Sequence, residues 1–239
     1  MPQGSLTIPL VFNRYRNDYE FLIELHDGES CKVNLVCHRI TGCKYVVKIL
    51  KQVLEDTTNF SSPAFREMQA MAVLPPHENV VKFFTTWVDM DHQIYSQMEF
   101  CNSGNLRKYL SSCEMGEPLA VKILYHILAG LVCLSQNQIV HFGLNPSNIL
   151  VSTTRTGQAV FKIGDFGHAE IMNERSEHFE PGMGIYTAPE CLAEDYLPQP
   201  SADIYSLGIT MFDILLSPAF HGLTKPFDPN ICLRLLQER

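Results

Sequence analysis

The chain has 239 residues, of which 46% are hydrophobic and 18% charged, so it is long and apolar enough to bury a core in one domain or in two lobes. Its net charge of −8 argues against a nonspecific nucleic-acid-binding protein, because such proteins normally carry a basic face. No apolar run reaches the roughly 20 residues of a membrane span, and the N-terminus lacks the pattern of a secretory signal, so neither a membrane protein nor a secreted one is expected.

The eight cysteines show no C-x-x-C spacing, so a zinc site is not expected. They lie in apolar segments, where cysteine behaves as a small hydrophobic residue. We therefore expect a reduced, intracellular protein of the nucleus or cytoplasm.

The first hundred residues have the pattern of a small sheet with one helix. Residues 19–50 are rich in β-branched side chains and carry a turn signal at Gly42. The predicted elements are strands over Val33–Cys37 and Lys44–Leu50, a helix over Phe65–Leu74, and strands over Val80–Asp89 and His92–Phe100.

After Cys101 the pattern becomes mostly helical. Helices are predicted over Pro118–Asn137 and Ser201–Ser217, another begins at Ile231, and short strands are expected around 141–167. The chain is therefore divided into an N-terminal extension over 1–18, a strand-rich lobe over 19–100 and a helical lobe over 101–239.

Three motifs in the second half point to one kind of chemistry. His141–Leu150 has the spacing of H-R-D-L-x-x-x-N, Ile163–Gly167 contains D-F-G, and Ala188–Glu190 reads A-P-E. In this order they resemble the signature of the protein kinase family. The resemblance implies an α+β, bilobal fold with a small β-rich N-lobe containing one helix and a larger, mostly helical C-lobe. Because the family pattern continues for several helices beyond Arg239, the C-lobe is expected to be incomplete.

The catalytic loop has lost two of its usual residues. Gly143 stands where the aspartate that accepts the substrate proton belongs, and Asn145 stands in place of a lysine that offsets charge on the transferred phosphoryl group. A positioned base contributes roughly 10²–10⁴-fold in rate. The resemblance assigns Mg²⁺ binding to Asn148 and Asp165, and both residues are present.

Two further residues match positions that hold this loop in kinases. The resemblance implies that His141 packs against Phe166 and that Asp203 braces the loop backbone. A helix N-cap or a first-turn carboxylate is the alternative role for Asp203, and the two roles are compatible.

The resemblance also implies an ATP site in which Lys48, within a variant V-A-I-K strand, contacts phosphates and pairs with Glu67. Taken alone, the two residues would more often be solvated surface charges, but the downstream motifs favour the pair. Met98 corresponds to the gatekeeper residue, and the segment after it to a hinge, although a plain strand-to-helix linker is the alternative. The implied cofactor-binding residues are Gly28, Val33, Val46, Lys48, Glu67, Met98, Glu99, Cys101 and Leu150.

The phosphate-covering loop is degraded. Aligned on Val33, the three glycine positions hold His26, Gly28 and Cys31, so only the middle glycine is kept. Glycine allows backbone N–H groups to approach phosphate closely, and we expect the two side chains to hinder that approach. Val46, in place of alanine, adds bulk where adenine would lie.

Beyond these motifs the chain resembles the Wee/Myt family of kinases that inhibit the cell cycle. The matching segments are Gly42–Tyr45, Arg66–Leu74, Asn79–Phe84, Glu99–Gly104, Asn145–Ile149 and Phe161–His168. Members of that family use Mg-ATP to phosphorylate a cyclin-dependent kinase, which the resemblance implies as a partner. Three functions stay open: a pseudokinase that acts as a regulatory or binding module, a weakly active protein kinase, and a truncated product without function.

Overall fold

The protein is described from a computed structural model that covers residues 13–51, 63–113, 115–172, 184–193 and 195–220. The helices are α1 (Arg14–Asp18), α2 (Pro63–Val73), α3 (Leu106–Leu110), α4 (Glu117–Gln136) and α5 (Pro200–Phe220), with short 3₁₀ turns at Gly184–Tyr186 and Pro189–Leu192. The strands are β1 (Tyr19–Asp27), β2 (Cys31–His38), β3 (Lys44–Leu50), β4 (Phe83–Val88), β5 (Ile94–Glu99), β6 (Ile139–Val140), β7 (Ile149–Thr153), β8 (Ala159–Ile163) and β9 (Glu170–Ile171).

The chain forms two compact units, and the α+β, bilobal architecture is confirmed. One unit comprises Met1–Phe60 and Phe83–Phe100, and the other comprises Ser61–Lys82 and Cys101–Arg239. The helix α2 therefore groups with the second unit. The domain boundaries proposed from the sequence stay a prediction.

Most predicted elements are present with slightly different ends. Helix α2 begins with Pro63 at its first position, where the missing N–H group costs nothing. The strand predicted from Val80 was wrong at its start, since β4 begins at Phe83. Val80 instead bridges Ile163 in the second unit, where the N–H of Val81 donates to the Ile163 carbonyl at 2.8 Å. The helix expected from Ile231 lies outside the described residues.

The first unit is built on an antiparallel sheet with strand order β1-β2-β3-β5-β4. One face carries an apolar core whose buried members are Tyr19, Val36, Val47, Ile49 and Tyr95. Side chains alternate between the two faces of a strand, so on β2, β3 and β5 the residues next to these core residues project to the second face. That second face is available for a site.

The short helix α1 covers part of the apolar face. The guanidinium of Arg14 lies 4.4 Å from the centre of the Trp87 ring, a cation–π contact. The N–H of Tyr15 donates to the Asp89 carboxylate at 2.9 Å, and the Tyr15 hydroxyl accepts a hydrogen bond from Asn34. These contacts tie the chain before β1 to the sheet.

The second unit is organised around α4, which packs against β6, β8 and α5. By length and composition α4 could cross a membrane, but core helices of globular proteins meet the same criterion. Its buried residues are Ala120, Ile123, Ile127, Gly130, Leu131, Cys133 and Leu134. Their spacing of three and four residues defines one packed face, so the helix serves as a core element.

Gly130 allows close contact between α4 and the hairpin formed by β7 and β8. A Cβ atom added at Gly130 would lie 2.8 Å from the Asn79 carbonyl oxygen and 2.8 Å from Ile163 Cδ1. A backbone oxygen cannot move aside as a flexible side chain can, so the helix needs a residue without a side chain here.

We expect Gly130→Ala to lower the free energy of unfolding by about 1–3 kcal/mol, because overpacking forces backbone shifts. Gly208→Ala on α5 is the matched control, since a Cβ there meets nothing within 4 Å. That change is expected to stabilise by roughly 0.5–1 kcal/mol through helix propensity. Guanidinium unfolding followed by circular dichroism measures both, and equal effects of the two changes would contradict the close-contact explanation.

Candidate functional site

Four predicted nucleotide-binding residues share one face of the sheet in the first unit. The register places Val33 opposite Lys48 and Val46 opposite Met98, and cross-strand partners project to the same face. Lys48 also lies opposite Ser96 on β5. The apolar core occupies the other face. Strand alternation thus brings these side chains together from three separate strands.

The loop between β1 and β2 is crowded by a side chain. The N–H of Gly28 donates to the Cys31 carbonyl at 3.0 Å, which closes the turn. A Cβ at Gly28 would lie 2.5 Å from His26 Nε2, so the His26 ring packs directly against this glycine. The surviving glycine accommodates the His26 ring. The expectation that His26 and Cys31 hinder the approach of backbone N–H groups to phosphate stays a prediction.

Two lysines hold the same hairpin by exposed ion pairs. Asp27 lies 3.1 Å from the Lys32 ammonium and 2.7 Å from that of Lys51. The hydrogen bond from Lys51, followed by that from Lys32, lowers the pKa of Asp27. Exposed pairs of this kind contribute little to stability.

The hinge segment after β5 is bound to β7 in the second unit. Cys101 is buried, and the Asn102 amide both donates to the Thr153 carbonyl at 3.0 Å and accepts from its N–H at 2.7 Å. The Ser103 N–H donates to the Val151 carbonyl at 3.0 Å. Leu150, on the same strand, is half-buried. The backbone at Cys101 is therefore held rigidly, as a recognition segment requires.

The catalytic loop is held by one buried carboxylate. Asp203, in the first turn of α5, accepts the N–H of His141 at 2.8 Å and that of Phe142 at 2.9 Å. Phe142 has φ 54°, a left-handed conformation that is strained for a bulky residue. Burial raises the pKa of Asp203 to about 6, although the two N–H bonds act in the opposite direction. The bracing role expected for Asp203 is present in the structure.

Phe142, at the usual arginine position, lies in an apolar cluster. It is buried with Val140, Ala188, Cys191 and Ala202. An arginine at this position could contact a phosphate, but a phenyl ring can only pack. The segment containing A-P-E is therefore attached to the loop by apolar contact.

His141 is a neutral structural residue. It is fully buried, its ring lies 4.9 Å from that of Phe166, and burial lowers its pKa to about 4. Nδ1 accepts the N–H of Gly143 at 3.2 Å, so the proton sits on Nε2, which donates to the Gly164 carbonyl at 3.1 Å. Both ring nitrogens are thus used.

Two amides converge on the carbonyl of Gly143. Asn145 Nδ2 donates to this oxygen at 3.0 Å and Asn148 Nδ2 donates to it at 2.8 Å. Asn145 Oδ1 accepts the N–H of Ser147 at 2.8 Å. Asn145 therefore stabilises the loop backbone, where the family's lysine would supply a positive charge.

Gly143 itself is not required by the backbone. Its φ lies outside the left-handed region, and an added Cβ would meet His141 at 3.4 Å and His168 at 3.5 Å, which are ordinary contact distances. A Cβ atom at position 143 is therefore sterically acceptable. The missing aspartate is a chemical loss within an intact loop.

The chemistry of Asn148 and Asp165 fits Mg²⁺. Because Asn148 uses its amide nitrogen on Gly143, its oxygen is the atom that could contact a cation. Asp165 is exposed and has φ 59°. Amide and carboxylate oxygens are the ligands that Mg²⁺ prefers. Within the described ranges there is no cluster of three His, Cys, Asp or Glu side chains that would form a complete cage, and Mg²⁺ is commonly bound by few protein groups plus phosphates.

Glu67 is buried on α2, in the second unit. Its pairing with Lys48 stays a prediction, because the two residues belong to different units. The predicted contribution of Glu99 to nucleotide binding also stays a prediction.

A hydrogen-bond network that no sequence motif predicts holds the residues before A-P-E. The Tyr186 hydroxyl donates to the Asp213 carboxylate at 2.6 Å. Arg107 Nη2 donates to the Tyr186 oxygen and to the Asp213 carboxylate, each at 2.8 Å. Arg107 and Asp213 are 106 residues apart, so no local pattern could connect them. In the sequence, His168 is only the last residue of the segment Phe161–His168 that resembles the Wee/Myt family, and nothing there indicates that it lies beside Gly143.

Comparison with known proteins agrees with this geometry. The sequence model of the protein kinase domain matches residues 19–226. The chain is 35% identical over 208 residues to a Wee1-like protein kinase of Oryza sativa subsp. japonica, which covers 85% of this chain and 37% of that protein. It is 31% identical over 223 residues to Wee1-like protein kinase 2 of Homo sapiens, with 83% and 39% covered. The chain spans less than two-fifths of the length of these relatives.

Stability as a function of pH tests how Asp203 holds the loop. The pKa of Asp203 is about 6 in the folded protein against an ordinary value of 3.8, so between these two pH values Asp203 is mostly protonated in the native state and mostly ionised in the unfolded chain. The contribution of protonated Asp203 to the free energy of unfolding is complete below about pH 4 and is lost as pH rises to about 6. We expect the stability advantage of the wild type over Asp203→Asn to shrink across this window and to be constant above it.

Urea unfolding of both proteins between pH 4 and pH 7.5 measures this difference. His141 is present in both proteins and has a depressed pKa, so its own effect, a loss of stability as pH falls, largely cancels. An advantage that grows with pH would show that the two N–H bonds outweigh burial and keep Asp203 ionised.

Proposed function

This chain belongs to the protein kinase family, and on that premise we propose that it is a pseudokinase that binds Mg-ATP, transfers phosphate very slowly and acts as a regulatory module in cell-cycle kinase signalling. The proposal rests mainly on one observation. The loop that presents the base in kinases is fully braced around Gly143, yet it carries no carboxylate at that position.

Nucleotide binding is supported separately in each unit. In the first unit, Val33, Val46 and Lys48 share one face of the sheet, where an adenine and phosphates would need apolar walls and a cation. In the second unit, Asn148 and Asp165 offer oxygen atoms suited to Mg²⁺. When bound, the ion neutralises phosphate charge.

Slow transfer follows from what the loop lacks. The buried carboxylate of Asp203 accepts two backbone N–H groups of this loop, so it is not placed to act as a base for a substrate. Asn145 bonds to the loop backbone and adds no positive charge. What remains is positioning, which alone supplies much of phosphoryl-transfer catalysis.

The proposed partner is a cyclin-dependent kinase, by the resemblance to Wee1-like kinases. The crowded loop at His26 and Gly28 supports a binding role over rapid turnover, because a loop that must open and close over phosphates is here packed by a side chain. We place this function inside the cell.

A thermal-shift titration tests nucleotide binding. We expect Mg-ATP to raise the melting temperature, since a ligand at 100 times its Kd adds about 2.7 kcal/mol of stability. Lys48→Ala should abolish most of the shift, and Asp165→Asn should remove the part that depends on Mg²⁺. Lys122→Ala on α4 is the control and should behave as the wild type. A wild type that is not stabilised at millimolar Mg-ATP would indicate a chain without nucleotide function.

Restoring the base tests the reason for slow transfer. We expect Gly143→Asp to raise the rate of phosphate transfer from labelled ATP to a cyclin-dependent kinase by roughly 10²–10⁴-fold, the usual contribution of a positioned base. The Cβ of the new side chain meets only ordinary contact distances in the loop. Adding Asn145→Lys should raise the rate further by supplying a cation. No gain in a folded variant that still binds Mg-ATP would show that the missing carboxylate does not limit the rate.

A further inference from the structure

The imidazole of His168 lies beside the place that the missing carboxylate would occupy. A Cβ built on Gly143 would be 3.5 Å from His168 Cδ2. Cδ2 is an atom of the imidazole ring, so the edge of this ring borders the position that a Cβ at residue 143 would take. His168 and Gly143 belong to the same unit, and the contact does not depend on how the units are arranged.

Two histidines border this volume, but only one has a free nitrogen. His141 is fully buried, and its two nitrogens bond to Gly143 and Gly164. His168 is partly exposed, and within the part of the chain that the structure describes its ring makes no hydrogen bond or ion pair. Neutral imidazole carries one acceptor nitrogen, so His168 can take a proton where His141 cannot.

We propose that His168 is the catalytic base of a slow residual phosphoryl transfer. The proposal rests on the Mg-ATP binding proposed above. In the step, the oxygen of the acceptor hydroxyl forms a bond to the γ-phosphorus while the bond from that phosphorus to the ADP oxygen breaks. The hydroxyl proton passes to His168, directly or through one water molecule, and then to solvent, and ADP leaves with the bonding electron pair.

The surroundings explain why such a base would be slow. The ring comes from the residue that follows D-F-G and lies beside position 143, so it does not occupy the place that a carboxylate at residue 143 would take. A base displaced in this way transfers protons less efficiently than one held in line. The charge that Asn145 fails to supply lowers the rate further.

A double-mutant cycle distinguishes a base from a packing residue. In the wild type, His168→Gln is expected to lower the residual transfer rate about 10²-fold, the lower end for loss of a base. In the Gly143→Asp background the same change is expected to alter the rate less than about 3-fold, because the carboxylate then takes the proton. His92→Asn, a change in the exposed β4–β5 turn, should leave the wild-type rate unchanged.

Two measurements do not depend on activity. In histidine ¹H–¹³C NMR spectra, Gly143→Asp should shift the ring signals of His168, because a carboxylate would lie beside the ring, while the signals of His92 stay unchanged. This measurement needs no change at position 168. The melting shift caused by Mg-ATP should be the same in His168→Gln as in the wild type.

The proposal is overturned if His168→Gln has no effect, or if it lowers the rate equally in both backgrounds, which would indicate packing. It is also overturned if the wild type transfers no more phosphate than Lys48→Ala. Failure of Mg-ATP to stabilise the wild type would reject the proposed function instead, and the NMR shift would still report whether His168 borders position 143.

Discussion

The carboxylate of Asp203 determines the shape of the loop that carries the site. It accepts two consecutive N–H groups, from His141 and Phe142, and the second belongs to a residue in a left-handed conformation. Such a conformation costs about 1–3 kcal/mol for a bulky residue and persists only where neighbouring groups hold it. With Phe142 fixed, His141 reaches the Gly164 carbonyl, which joins the loop to the residues before Asp165.

The chain has kept the supports of a kinase loop and lost its reactive groups. Asp203, His141 and Asn148 all make the contacts that hold the backbone. Positions 143 and 145 lost their charges, and the replacements fit without strain: Gly143 leaves ordinary contact distances, and Asn145 adds two hydrogen bonds. The residues that hold the loop can be kept when the catalytic groups are absent, because bracing residues contact the backbone while catalytic groups must contact substrate.

Much of the fold could be predicted because its signals are local. The alternation of Val46 and Lys48 with Val47 and Ile49 predicts a strand with two different faces, and Pro63 at the first position of α2 suits the start of a helix. Val80 was misassigned to a strand of the first sheet, because an apolar residue at this position is equally suited to bridging Ile163. Local pattern cannot decide between two partners that lie far apart in sequence.

The sequence by itself determined the family, the order of elements and the chemical losses at Gly143 and Asn145, since these depend on residue identity and spacing. Tertiary structure alone decided which groups meet. In the fold, the His168 ring lies 3.5 Å from a Cβ at position 143, and the Asn145 amide donates to the Gly143 carbonyl. Arg107 forms an ion pair with Asp213, which is 106 residues away in sequence. These contacts arise when separate elements pack, and the physical reason they escape sequence analysis is that distance in space is set by the whole fold, whereas motifs record only distance along the chain.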